Sequence, residues 1–183
     1  FVTEHDEGIS TALYLLEVES LELSALPLPA GGKALVFVPG GSFWLVSSEG
    51  KLFKEGVEVQ TGFEEPITRL AILSNNRLAL LSDVAVGIFN TENGKLTQTL
   101  ELSSRGTAIA SDPSGNWFVI GSQDGAVTVF ECEEAEGGEF QLSTKAKIHE
   151  GAVTALQFEP EELRFFSAGA DFKLLLTHAR GKL

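Results

Sequence analysis

The stretch Gln123-Asp124-Gly125-Ala126-Val127-Thr128-Val129-Phe130-Glu131 recurs in variant form in this chain of 183 residues. It lies over Ser82-Asp83-Val84-Ala85-Val86-Gly87-Ile88-Phe89-Asn90 upstream and over Ala170-Asp171-Phe172-Lys173-Leu174-Leu175-Leu176-Thr177-His178 downstream. Each copy reads Asp, two variable residues, an apolar residue, any residue, then an apolar residue. That pattern is a turn opening a strand, because a period of two sends successive side chains to opposite faces of a sheet. The aspartates stand 41 and 47 residues apart, and a period of that size marks a repeat architecture. Pro113 and Pro160 each precede their Asp by 11 residues.

Outward from these copies the punctuation is the same. Short apolar or alternating runs cover Ala34 to Val38, Phe43 to Val46, Leu78 to Leu81, Val84 to Phe89, Trp117 to Ile120, Ala126 to Phe130, Val153 to Phe158 and Leu163 to Phe166. They are bounded by Gly, Pro, Asn, Asp or Ser, and few segments place apolar residues at helical spacing, so strands are predicted almost throughout. Pro39-Gly40-Gly41, Ser74-Asn75-Asn76, Asp112-Pro113-Ser114-Gly115 and Asp124-Gly125 supply the φ values that hairpin reversals need. Weaker copies come earlier. Phe37-Val38-Pro39 matches Phe158-Glu159-Pro160, Glu49-Gly50 sits near an expected turn, and Asp6-Glu7-Gly8 leads into strand-like Ala12 to Val18 and Leu21 to Leu28. Trp44 and Trp117 fall in the second strand of their units and read as core.

The last copy is the fullest. His149-Glu150-Gly151-Ala152-Val153-Thr154-Ala155-Leu156-Gln157-Phe158-Glu159-Pro160, followed by Phe166-Ser167-Ala168-Gly169-Ala170-Asp171, resembles the WD-repeat β-propellers in its order of His, Val, Leu, Phe-x-Pro, Ser and Asp. The resemblance covers roughly residues 33 to 178 and implies an all-β chain of four-stranded antiparallel blades. It places a partial blade over about 1–30, blades over about 31–65, 66–104 and 105–148, and a partial blade over 149–183, all in one propeller domain. A β-sandwich is the alternative. In such blades the turn Asp, a loop His and a strand Ser or Thr form a hydrogen-bonded set ending on a strand Trp. The resemblance thereby gives structural roles to His149, Ser167 and Asp171, and to the turn residues Asp124 and Asp83. The departures are Thr177, Phe130 and Phe89 at the Trp place, Ile120 at the Ser or Thr place, and no His at matching distance before the other two copies. About four blades fall short of the roughly six to eight of most closed rings. The expectation is therefore a portion of a longer chain, or a ring that a partner completes, with unpaired edges at Leu174 to Leu176 and near the N-terminus.

Composition narrows the function. Lys plus Arg total 13 against 26 Asp plus Glu, a net charge of −13, which disfavours phosphate backbones and anionic membrane surfaces alike. No apolar run approaches the ~18 residues of a membrane-spanning helix. The start, Phe-Val-Thr-Glu-His-Asp, lacks the basic character of a signal peptide, and the single cysteine, Cys132, has no internal disulfide partner. A cytoplasmic chain is expected, with the nucleus left open.

Ser167, His149 and Asp171 are also the residue types of a nucleophile, a base and its orienting acid. No Gly-x-Ser-x-Gly elbow surrounds the serine, and the blade reading already uses its hydroxyl, so no catalytic residue is assigned. His5, His149 and His178 have no His or Cys at ligand spacing, and Gly31-Gly32-Lys33 and Gly40-Gly41-Ser42 lack the phosphate-loop pattern. No metal or cofactor is predicted. The acidic run Glu131 to Glu139 accounts for the longer spacing and reads as an exposed insertion, with Cys132 exposed in it and residues 132 to 139 replaceable by a tight turn. Its Glu131, Glu133, Glu134, Glu136 and Glu139 form a candidate docking loop for a basic partner. The expected function is a non-catalytic scaffold that binds proteins or peptides and the remainder of its own propeller. The alternative is a propeller that binds a small molecule or serves as the sensor domain of a multidomain enzyme.

Overall fold

The computed structural model describes residues 11–16, 23–28, 31–38, 42–132 and 138–180. Every regular element among them is a β-strand. The chain divides into two compact units, residues 1–60 and 61–183.

In the first unit β1 (Thr11–Leu16) and β2 (Leu23–Leu28) form an antiparallel hairpin. The strands β3 (Gly32–Phe37), β4 (Phe43–Ser47), β5 (Leu52–Lys54) and β6 (Val57–Val59) then form a four-stranded antiparallel meander in chain order. The last hairpin closes on Glu55 and Gly56 at φ 49° and 86°, the double positive φ of a turn whose twist matches its strands. Phe43, Trp44, Leu45 and Val46 are all buried.

The second unit repeats the meander. One sheet holds β7 (Arg69–Leu73), β8 (Arg77–Leu81), β9 (Ala85–Asn90) and β10 (Lys95–Glu101). The next holds β11 (Gly106–Ser111), β12 (Trp117–Ser122), β13 (Ala126–Glu131) and β14 (Gln141–Lys147). The third holds β15 (Val153–Phe158), β16 (Arg164–Gly169) and β17 (Leu174–His178), three strands in all. These are blades of a β-propeller. The turn residues behave as their chemistry requires: Asn75 and Asn76 sit at φ 56° and 54°, Gly115 at 68° and Gly125 at 87°. Pro39-Gly40-Gly41 and Asp6-Glu7-Gly8 lie outside the described residues.

Burial explains why the second strands were the easiest to read. β4, β8 and β12 are buried along their whole length, so both of their faces favour apolar residues. The outermost strands β10 and β14 alternate half-buried and exposed positions over much of their length. Their polar sequences, Lys95-Leu96-Thr97-Gln98-Thr99-Leu100-Glu101 and Gln141 to Lys147, hide the strand. Three of the four first strands, β3, β11 and β15, carry a bulge, with register shifts between Gly32 and Ala34, Gly106 and Ala108, and Val153 and Ala155, whereas β7 pairs in unbroken register. At two of them a threonine returns its hydroxyl to the partner strand, Thr107 Oγ1 to Gly121 O at 3.0 Å and Thr154 Oγ1 to Ala168 O at 3.1 Å. Thr107 also reaches Val153 O in the next sheet at 2.6 Å.

Within this unit the sheets pack face to face. Leu81, Val86 and Ile88 of the first meet Phe118, Ile120 and Phe130 of the second. On the other face of that second sheet Trp117, Val119, Val127 and Val129 meet Val153, Phe158 and Phe165 of the third. Close approach is sequence-encoded at Gly121, where an added Cβ would stand 2.4 Å from Val153.

Candidate functional site

His149 lies in the link between β14 and β15, fixed by its own backbone. Its N–H donates to Gly125 O at 3.1 Å, so the loop of one blade rests on the Asp-Gly turn of the blade before. Only glycine suits that turn, since a Cβ at Gly125 would stand 2.0 Å from His149 O. The imidazole then bridges two strands' worth of polar groups. Nδ1 is 2.9 Å from Asp171 Oδ1 and Nε2 is 2.9 Å from Ser167 Oγ. A carboxylate can only accept, so Nδ1 carries a proton, and in the neutral ring the Ser167 hydroxyl donates to Nε2.

Asp171 is the anchor of this set. Its carboxylate also accepts the N–H of Glu150 at 3.1 Å and of Lys173 at 3.2 Å. Burial alone would raise its pKa, but those two donors and His149 outweigh it and hold the carboxyl at about 2, below the usual 3.8,. The distances are those of an Asp–His–Ser relay, yet His149 is 1% exposed and Ser167 fully buried. No substrate reaches that hydroxyl in this arrangement. No hydrogen bond joins Ser167 to Thr177 among the described residues.

The other two turn aspartates do different work. Asp124 Oδ1 accepts Ala126 N at 3.1 Å and so folds its own turn. Asp83 forms an exposed ion pair with Arg105 Nε at 3.0 Å. The serine place in their sheets holds Ile120 and Ala79, both buried. In the blade of Asp83 the turn is held by Ser82, whose Oγ accepts Ala85 N at 2.9 Å.

The acidic run is anchored at both ends. Glu131 is half-buried and 3.5 Å from Arg180 Nη2, Glu139 is exposed, and Glu133, Glu134 and Glu136 lie outside the described residues. Cys132 corrects the sequence expectation: it is buried, 6% exposed. The alternation of β13 carries one residue past its end, so Cys132 joins Phe130 on the face that packs Phe118 and Phe140. Phe118 stacks on Phe130 at 4.8 Å and meets Phe140 edge-on at 5.0 Å. Across the hairpin the Cys132 thiol donates to Gly138 O at 3.2 Å. Arg77, buried at the start of β8, lies over the Phe140 ring and donates to the same carbonyl at 2.8 Å. Gln98 on β10 pairs with the Phe140 backbone in both directions, at 2.8 and 2.9 Å. Neither Arg77 nor Gln98 was legible as an anchor, because each stands in a strand where nothing local distinguishes it from a surface residue.

Among the described residues no three His, Cys, Asp or Glu side chains are grouped to hold a metal ion, and no helix is long and apolar enough to cross a membrane.

Residues 94–131 match the model of the WD domain, G-beta repeat. That segment spans β10 of one sheet and β11 to β13 of the next, so the sequence repeat straddles two blades. The chain is similar to Actin-interacting protein 1-2 of Arabidopsis thaliana, 29% identical over 89 residues, which are 49% of this chain and 14% of that protein. It is also similar to Cilia- and flagella-associated protein 43 of Xenopus laevis, 24% identical over 107 residues, 57% of this chain and 6% of that protein. The chain thus matches only a small part of the length of either relative. In the matched repeat at residues 94–131, in its recurring antiparallel meanders and in the sequence order His149, Ser167, Asp171, the chain is similar to the WD-repeat β-propellers.

Proposed function

We propose that this chain is a non-catalytic module of one propeller domain, working in the cytoplasm, that binds other proteins or peptides. The observation that carries the reading is the burial of His149 and Ser167. The one constellation with the residue types of a hydrolase is sealed and hydrogen-bonded within its blade, which supports a structural role for it. The protein-binding reading is supported by the repeat family and by the Arabidopsis relative, whose name speaks of interaction with actin. Within this reading Glu131 to Glu139 is a docking loop for a basic partner, on a hairpin whose ends are clamped by Arg77, Cys132 and Gln98.

The test pairs capture with activity. The 183-residue chain, immobilised, is expected to retain a protein that binds again when purified, and retention is expected to weaken with salt and with Glu131→Gln plus Glu139→Gln. His149→Ala is expected to lower the melting temperature without removing a turnover. Absence of any partner that rebinds, or a hydrolase activity lost in His149→Ala at unchanged melting temperature, would overturn the reading.

A further inference from the structure

The second unit holds a groove of about 490 Å³ between residues 62–65, the turn before β9 and the far end of β10. Phe63, Val84 and Leu102 give it an apolar lining, and Val84 is 53% exposed. Gly87 makes this surface possible, since a Cβ there would stand 2.9 Å from both the Phe63 ring and Leu96. The same groove is lined by Glu64, Glu65 and Glu101, all exposed, and by no Lys or Arg. None of the three carboxylates has an ion pair or side-chain hydrogen bond among the described residues.

Apolar lining and unneutralised carboxylates together select the occupant. An anion is repelled, and a purely apolar group leaves three negative charges uncompensated at the edge of a water-excluding contact. A bare metal cation would leave Phe63 and Val84 wet. An arginine or lysine side chain satisfies both features, because its aliphatic stem covers apolar surface while its head stays at the charged rim. We propose that this groove binds a basic peptide segment of a partner protein, with an arginine or lysine lying along Phe63 and Val84 and its charge among Glu64, Glu65 and Glu101. The inference rests on the protein-binding reading above and adds a second contact, distinct from the acidic hairpin.

The probe is a fluorescein-labelled octapeptide Gly-Ser-Leu-Arg-Val-Arg-Ser-Gly, with a counterpart carrying Glu for both Arg. Anisotropy with the full chain is expected to show binding of the arginine peptide alone. Amide NMR shifts are expected to change at residues 62–65, 82–85 and 96–102. The triple variant Glu64→Gln, Glu65→Gln, Glu101→Gln is expected to weaken binding at least about tenfold, and Val84→Ser about threefold. The control triple Glu49→Gln, Glu92→Gln, Glu161→Gln removes the same charge and is expected to stay within about twofold. Unchanged melting curves establish that each variant is folded. The proposal is overturned by no binding at millimolar peptide, by equal weakening in both triples, or by shifts that map elsewhere. Those outcomes leave the capture experiment standing, because it is read on a whole protein partner and on the hairpin.

Discussion

An added Cβ at Gly169 would stand 2.4 Å from His149 Nδ1 and 2.6 Å from Asp171 Oδ1, so the His–Asp contact exists only where that residue has no side chain. Gly169→Ala is accordingly expected to cost about 2 kcal/mol or more, through a forced shift in a packed polar set. His149→Ala removes the bridge instead, leaving the buried Ser167 hydroxyl without its partner at about 1–3 kcal/mol, while Asp171 keeps the Glu150 and Lys173 N–H groups. Thermal melts of both variants measure this, and a change near zero in either would show that the set does not hold the blade. Acid tests Asp171 separately. Its folded pKa of about 2 lies below the ordinary 3.8, so the unfolded chain takes up the proton first as pH falls. Its stabilising contribution is whole above about pH 4 and is lost as pH drops through about 2. The stability difference between the wild type and Asp171→Asn is expected to shrink over that window in urea titrations, and a difference independent of pH would refute the assignment.

At the scale of the element, the β13–β14 hairpin separates into clamped ends and an acidic middle. Replacing 132 to 139 by a tight turn removes the Cys132 packing and thiol contact and the Gly138 carbonyl that receives both Cys132 and Arg77. That expectation from the sequence does not survive the buried thiol. Excision of 132 to 139 is expected to cost about 2–3 kcal/mol from lost core contacts and from a buried guanidinium that keeps Ser74 but loses its Gly138 acceptor,. Replacing only 133 to 137 with Gly and Ser is expected to stay within about 0.5 kcal/mol. Urea midpoints of the two deletions decide between them, and equal midpoints would show that the clamp contributes nothing.

For the whole molecule, β17 is the edge of a three-stranded sheet in which Leu174 is 69% and Leu176 47% exposed. Their equivalents one blade earlier, Val127 and Val129, are fully buried against β15 and β16. Phe172, at the place of Gly125, is fully exposed at φ 62°, an unusual backbone for a bulky residue. An edge that no strand pairs among the described residues, with an apolar face, invites pairing with another chain,. The 183-residue chain alone is expected to self-associate in sedimentation at tens of micromolar, and Leu174→Lys with Leu176→Lys to suppress it. A wild-type monomer across that range would overturn the expectation.

Repetition, strand type and turn positions were set by the sequence alone, because turn backbones demand Gly, Asn or Asp and doubly buried strands demand apolar runs. Asp124-Gly125, Ser74-Asn75-Asn76 and the stretch Trp117 to Ile120 could be read for those local reasons. The order His149, Ser167, Asp171 was legible in the same way, as spaced residue types. Tertiary structure decided what those types do. Three chemically equivalent aspartates take three different partners, because only the last blade brings a histidine within 2.9 Å. It also decided the fate of Cys132, whose acidic neighbours in sequence suggested exposure while Phe118 and Phe140, from other strands, bury it. A groove of Phe63, Val84 and Glu101 was invisible for the same reason: residues nearly forty positions apart meet only when the sheet has formed. Burial and charge pairing are sums over neighbours in space, and the sequence lists neighbours along the chain.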